Sequence, residues 1–194
     1  MVRATPTSDE NPSPLSPEQQ EELALATDRR RKILTAAKVA TFNGWTLGII
    51  GAVSILFGVF SLTGFIVGVF LVIVARNEFR GRDLVRRLEP RGAMLLAKNQ
   101  IGLIGIILAY CLWSMYVTVA SPSGEITELE ELVGLSPGLV TDMTLTAYGI
   151  VIVLTLLFQG LNARYYFLRV QQLKDYLEQT PKWVVDMQRI TLDE

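Results

Sequence analysis

The sequence predicts an all-α integral membrane protein: a four-transmembrane-helix bundle of two helical hairpins, with amphipathic cytoplasmic helices attached. Three observations carry this. Four apolar runs, Val39 to Phe60, Ser61 to Ala75, Ile101 to Ala120 and Met143 to Leu161, contain no Asp, Glu, Lys or Arg. The segment between the second and third runs is strongly basic, and the segment between the third and fourth holds acids without a single base. The near-neutral formal charge of −1 over 194 residues therefore hides a sharp segregation. A charge at mid-bilayer costs about 2.5–3.5 kcal/mol, and about 20 helical residues cover about 30 Å of hydrocarbon, so charge-free runs of this length read as crossings.

In chain order, residues 1–15 form an acidic tail that is expected to be disordered. The first 28 residues hold six acids and one Arg, with Pro6, Pro12, Pro14 and Pro17, and have too little apolar surface to bury. The stretch lacks the basic start and apolar middle of a signal peptide. Residues 16–38 are an approach helix on the cytoplasmic side: Ser16 is the cap, Pro17 takes the first helical position, and Gln19 closes a capping box. This helix is expected to be solvated and to run unbroken into the first crossing.

The membrane domain covers 39–162, with spans at about 39–60, 61–77, 99–120 and 143–162. The first two are contiguous: Val39 to Ala75 is 37 residues without a charge. As one helix it would be about 55 Å long, too long for a single crossing. A break at Ser61-Leu62-Thr63-Gly64 turns it into a hairpin. Lys and Arg near the crossings then set the orientation. Arg29, Arg30, Arg31, Lys32 and Lys38 precede the first span, and seven bases stand in the loop 76–98. The loop 121–142 carries Glu125, Glu128, Glu130, Glu131 and Asp142 and is external. Both termini are expected in the cytoplasm, as an even number of crossings requires. In the external loop, Thr127 and Glu130 fit a capping box, with the acids facing water.

Residues 163–194 supply amphipathic cytoplasmic helices. Tyr166, Val170, Leu173 and Leu177 share one helix face. After Thr180-Pro181 a short helix restarts with Trp183, Met187 and Ile190 on its apolar side, lying in the interface or on the end of the bundle.

Inside the spans, small residues recur at helical spacing: Gly44, Gly48 and Gly51, then Gly64 and Gly68, then Gly102 and Gly105. Such rows let backbones approach where water no longer drives apolar association, so these glycines are expected to pack helices. Carboxamides gather near the cytoplasmic helix ends, Asn43, Asn77, Asn99, Gln100, Gln159 and Asn162, and predict a polar clamp between helices. Trp113 and Tyr116 outside, with Trp45, Tyr165 and Tyr166 inside, read as aromatic belts.

The chain has no histidine, which removes the commonest general base and the commonest transition-metal ligand. Cys111 is the only cysteine and lies within the third span, so neither a disulfide framework nor a cysteine metal cluster is available. No cofactor, metal or catalytic residue is expected. No acid falls inside a span, which argues against ion-coupled transport. The arginines Arg76, Arg80, Arg82, Arg86, Arg87 and Arg91 are the candidate binding residues, for anionic phospholipid at about 1 kcal/mol per base or for a protein partner. Nucleic acid is not expected as a partner, since no known nucleic-acid-binding module is visible around the arginines.

The stretch Asn77-Glu78-Phe79-Arg80-Gly81-Arg82, through Leu88-Glu89-Pro90-Arg91 to Asn99-Gln100, resembles the central segment of a family of small, uncharacterised four-helix bacterial inner-membrane proteins. The resemblance spans most of residues 30–120. It implies residence in the bacterial inner membrane and carries no activity with it. The function expected is that of a non-enzymatic multi-pass scaffold or accessory subunit binding anionic lipid or a protein partner. A small oligomeric channel or passive transporter, built from copies of the chain, is the alternative, and a lipid-modifying enzyme ranks behind both.

Overall fold

The computed structural model describes residues 15–58, 62–120 and 130–190. Five helices carry most of these residues: α1 (Pro17–Phe57), α2 (Leu62–Arg86), α3 (Pro90–Ala120), α4 (Leu139–Gln179) and α5 (Lys182–Ile190). The first four are long and apolar enough to cross a membrane. Along their apolar runs the large side chains point outward, with Phe42 and Leu56 each 71% exposed and Phe158 64% exposed. Water-soluble monomers rarely expose apolar patches beyond a few hundred Å². These helices extend theirs along whole runs.

α1 begins as the sequence predicts. Ser16 Oγ accepts from the Gln19 N–H and Gln19 Oε1 accepts from the Ser16 N–H, closing the capping box. The stretch that precedes the apolar run is solvated on one side only, however. Ala26, Ile33, Ala36 and Ala37 are buried in the main apolar cluster, because alanines one helical turn apart leave a flat face against which other helices seat.

The break between α1 and α2 falls earlier than Ser61 to Gly64. α1 ends at Phe57 with Gly58 as its cap, and α2 begins at Leu62; residues 59–61 lie outside the described residues. Thr63 and Gly64 fall in the first turn of α2, where N–H groups have no intrahelical acceptor to lose, so these weak helix formers cost little there.

α1 and α2 pack against each other in antiparallel order, with the glycines as the points of closest approach. A Cβ added to Gly44 would meet the Phe79 ring at 3.0 Å, one on Gly51 the Gly68 carbonyl at 3.0 Å, and one on Gly68 the Ile55 backbone nitrogen at 2.8 Å. Gly48 faces Ala75 more loosely, at 3.7 Å. Gly102 and Gly105 behave differently from expectation. Nothing lies within 4 Å of a Cβ built on either, so they pack no helix of this chain among the described residues. Their side of α3 is exposed.

The segment 76–98 is a helical hairpin: helix continues past the second apolar run, as the apolar positions Phe79, Leu84, Val85 and Leu88 predict, and the turn falls just before Pro90. α2 continues through Arg86, and after three intervening residues Pro90 opens α3. The Glu89 N–H donates to the Leu84 carbonyl at 2.9 Å and the Leu88 N–H to the Val85 carbonyl at 3.0 Å, a Schellman end with Leu88 at φ 57° in the glycine position. A left-handed leucine costs about 1–2 kcal/mol. Leu88 is 0% exposed, and burying a leucine contributes about 1.5–3 kcal/mol, which offsets that cost. Gly81 and Gly92 bring the two helices together: a Cβ on Gly81 would lie 2.5 Å from Leu96, and one on Gly92 2.7 Å from the Val85 nitrogen.

α3 pairs with α4, and α2 with α3; contact between α1 and α4 is slighter. At the acidic end, Glu130 does not face water. It is 4% exposed, and its two oxygens accept from the Gly138 and Val140 N–H groups at 2.9 and 2.8 Å, capping the start of α4 with a negative charge where the helix dipole favours it. Thr127 lies outside the described residues. α4 then runs without a break to Gln179, so its apolar run and the amphipathic stretch after it form one rod.

α5 buries Val184, Val185 and Gln188, whereas Met187 of the expected apolar face is 39% exposed and Trp183 is only half-buried. Tyr176 donates to Gln188 Oε1 at 2.6 Å and Arg30 to the Gln188 carbonyl at 3.2 Å. These polar bonds select the Val184/Gln188 side. The main apolar cluster therefore draws on all five helices, with Ile33, Leu88, Leu96, Leu173 and Val184 among its members, and lies wholly at the basic end.

Gly68→Ala should destabilise the α1/α2 contact by about 1–3 kcal/mol, since the new methyl meets backbone that cannot yield. Gly102→Ala, in open space, should be neutral or gain up to about 1 kcal/mol from helix propensity. Thermal unfolding of the two variants in one detergent checks the pair, and equal effects would count against the packing described.

Candidate functional site

Where the apolar runs give way to the basic end, α2 presents Glu78 to the interior. Its position follows from helix periodicity: Val74, Glu78, Gly81 and Val85 recur every three or four residues and are all buried, while Arg76 and Arg80 turn outward. Glu78 is 0% exposed. Oε1 accepts from Asn99 Nδ2 at 2.7 Å and Gln100 Nε2 at 2.8 Å, both on α3, and Oε2 accepts from the Tyr166 hydroxyl of α4 at 3.5 Å. Asn43 of α1 donates to Tyr166 Oη at 3.4 Å. Asn77 Nδ2 donates to Asn99 Oδ1 at 3.2 Å, and Asn99 also donates to the Val74 carbonyl at 3.0 Å. One side-chain network thus joins α1, α2, α3 and α4.

Every partner of this carboxyl is neutral. Among the described residues the ion pairs are Arg82 with Asp83 and Arg91 with Glu89, both away from it. Arg82, one turn beyond Glu78 on α2, is turned over the Phe79 ring at 5.1 Å. Burial pushes the Glu78 carboxyl up from 4.5 to about 7, against the hydrogen bonds of Asn99, Gln100 and Tyr166, which lower it. Burial, aided by the adjacent carboxylate, pushes the Tyr166 hydroxyl far above its ordinary value, so it stays a donor. Gln100 Oε1 is buried without a donor among the described residues.

The polar clamp read from sequence is present in part. Asn43, Asn77, Asn99 and Gln100 belong to the network; Gln159 and Asn162 are half-buried on α4 and take no part in it. Its centre is the carboxyl of Glu78, one residue past the second expected span and enclosed by the helices that continue beyond the apolar runs. Tyr166 also leaves the aromatic belt: it is 0% exposed and edge-on to Tyr165 at 5.5 Å. Trp45, Trp113 and Tyr116 do remain exposed. The hidden signal was the match of Glu78 in the buried row with Asn99-Gln100 at the start of the third apolar run.

The candidate binding arginines stand outside this network. Arg76, Arg80, Arg86, Arg87 and Arg91 are exposed; Arg82 is half-buried and committed to Asp83 and Phe79. From Arg76 to Arg86 the helix rises about 15 Å. Arg76, Arg80 and Arg86 form a ladder along α2, with Arg87 just past its end and Arg91 in the first turn of α3.

Comparison of the chain with family models, with curated proteins and with solved structures finds no match. The class of protein that fold and site define is an all-helical chain with four helices able to cross a membrane.

The raised Glu78 value makes stability depend on pH. A carboxyl raised from 4.5 to about 7 contributes stability that is full below 4.5 and is lost as pH rises through about 7, on the order of 3 kcal/mol. Glu78→Gln removes the titrating group. Thermal unfolding between pH 4.5 and 8 should show the parent chain weakening with rising pH and the variant responding much less; parallel curves would remove the assignment.

Proposed function

We propose that this chain is a non-enzymatic scaffold or accessory subunit of the bacterial inner membrane, crossing four times with both termini in the cytoplasm. It binds anionic phospholipid near the membrane and a protein partner farther out. The carrying observation is the exposed arginine ladder on a basic end that is itself well packed. A headgroup layer extends about 5–8 Å beyond the hydrocarbon. Arg76 and Arg80, about 6 Å apart along α2, stand within reach of lipid phosphates. Arg86, Arg87 and Arg91 stand beyond that layer and face the aqueous side, where an acidic protein surface is the fitting counterpart.

The packed cluster beneath supports the same reading. Side chains locked in a core hold the ladder in fixed order, as a recognition surface needs. Enzymatic turnover receives no support from the residues present: the sequence has no histidine, and Glu78 is enclosed by neutral amides and a tyrosine.

Extraction into lipid nanodiscs followed by native mass spectrometry tests the reading. Anionic lipid should be enriched with the parent chain and reduced by Arg76→Gln with Arg80→Gln. A stoichiometric protein companion should be present, and Arg86→Gln with Arg87→Gln should release it. Recovery of only the chain itself, with lipid in bulk proportion, would overturn the proposal.

A further inference from the structure

We propose that the groove between α1 and α4 at the basic end is a binding site for a phosphate monoester. The groove has a volume of about 240 Å³ and receives Arg29 and Lys32 from α1 and Arg169 from α4. Asp175 is the one carboxylate in its lining, leaving a formal excess of two positive charges.

These cations are oriented without being neutralised. Arg29 donates to Gln179 Oε1 at 3.2 Å, and Arg169 donates to Gln172 Oε1, so neutral carboxamides hold both guanidinium groups. Arg169 also lies over the Tyr165 ring at 4.7 Å. Asp175 accepts from Gln171 at 2.7 Å and makes no ion pair with any of the three. Glu22, a further acid nearby, lines the neighbouring hollow and not this one. The Arg169 Nε is buried and has no partner among the described residues. An anion seated here would meet guanidinium groups already fixed in direction, which is how arginine forks recognise phosphate oxygens.

The charge of the anion follows from the count. A formal excess of two positive charges suits a dianion better than the single charge of a phosphodiester. The volume admits a small phosphorylated molecule and not a whole nucleotide coenzyme, since pockets for drug-sized ligands start at about 300 Å³. Lys32 lies about 9 Å and Arg29 about 13 Å along α1 from Lys38, so the groove sits at or just beyond a headgroup layer. Two sources can present the same chemistry there: a soluble phosphate monoester, or a lipid ending in one. The site does not rest on the partner-binding reading, because none of its residues belongs to the α2 arginine ladder.

The test uses the full chain in nanodiscs of zwitterionic lipid, with inorganic phosphate and glycerol phosphate as probes and chloride at matched ionic strength as control. Saturable binding is followed by calorimetry. Lys32→Gln, which changes an exposed side chain, and Arg169→Gln should each weaken binding at least tenfold, while Arg86→Gln with Arg87→Gln should leave it unchanged. Discs doped with phosphatidic acid then separate the sources: suppression of soluble phosphate binding assigns the site to lipid, and undiminished binding assigns it to a soluble ligand. Absence of saturable binding, or equal loss in the Arg86/Arg87 variant, would overturn the site. Failure of the parent chain to capture any protein partner, with phosphate binding intact, would instead strike the scaffold reading alone.

Discussion

A carboxyl group withdrawn from water must find partners, and Glu78 finds them on two other helices, with a third reached through Tyr166. That requirement fixes register in a way apolar contact alone does not. Along the apolar runs one leucine can replace another with little change in energy, and helices could slide or rotate. At the Glu78 level a shift of one residue would strand a buried oxygen at a cost of about 1–3 kcal/mol or more. The network lies directly beneath the apolar cluster of the basic end, so the same few residues set how α2, α3 and α4 enter it.

The gross architecture was open to sequence reasoning because it depends on composition over long windows. Runs free of charge give the four long helices, and the capping box at Ser16 and Gln19 gives the start of α1. Packing was less open. Gly51 and Gly68 belong to rows that do meet, whereas Gly102 and Gly105 have the same spacing and meet nothing, since spacing reports a shared face and not what lies opposite. Gly81 and Gly92 were hidden for the converse reason: they sit among charged residues, outside the apolar runs in which rows of small residues signal packing. Glu78 and Tyr166 were masked by their neighbours, Glu78 by flanking arginines and Tyr166 by membership in an aromatic cluster at an interface. Only the joint periodicity of four separate helices distinguishes them.

Burial is distributed in an unusual way. The apolar runs expose their largest side chains, while alanines, Leu88, Leu96 and Leu173 at the basic end form the interior. Specific shape therefore resides in the part richest in charge. In the proposed reading this suits a scaffold: lipid anchors the outward-facing runs, and the packed end displays arginines and the α1/α4 groove at fixed positions.

α1 and α4 are each 41 residues long and pass from apolar run to basic end without interruption. Each is a stiff shaft of about 60 Å. A twist applied at the acidic end, where Glu130 grips the first turn of α4, would be delivered at the far end as a rotation of Arg169 and Tyr166 together. Tyr166 carries that motion to the enclosed carboxyl, and Arg169 carries it to the groove. The molecule thus has the build of a torsion bar, in which the acidic and basic ends are joined by continuous shafts with no break along either helix.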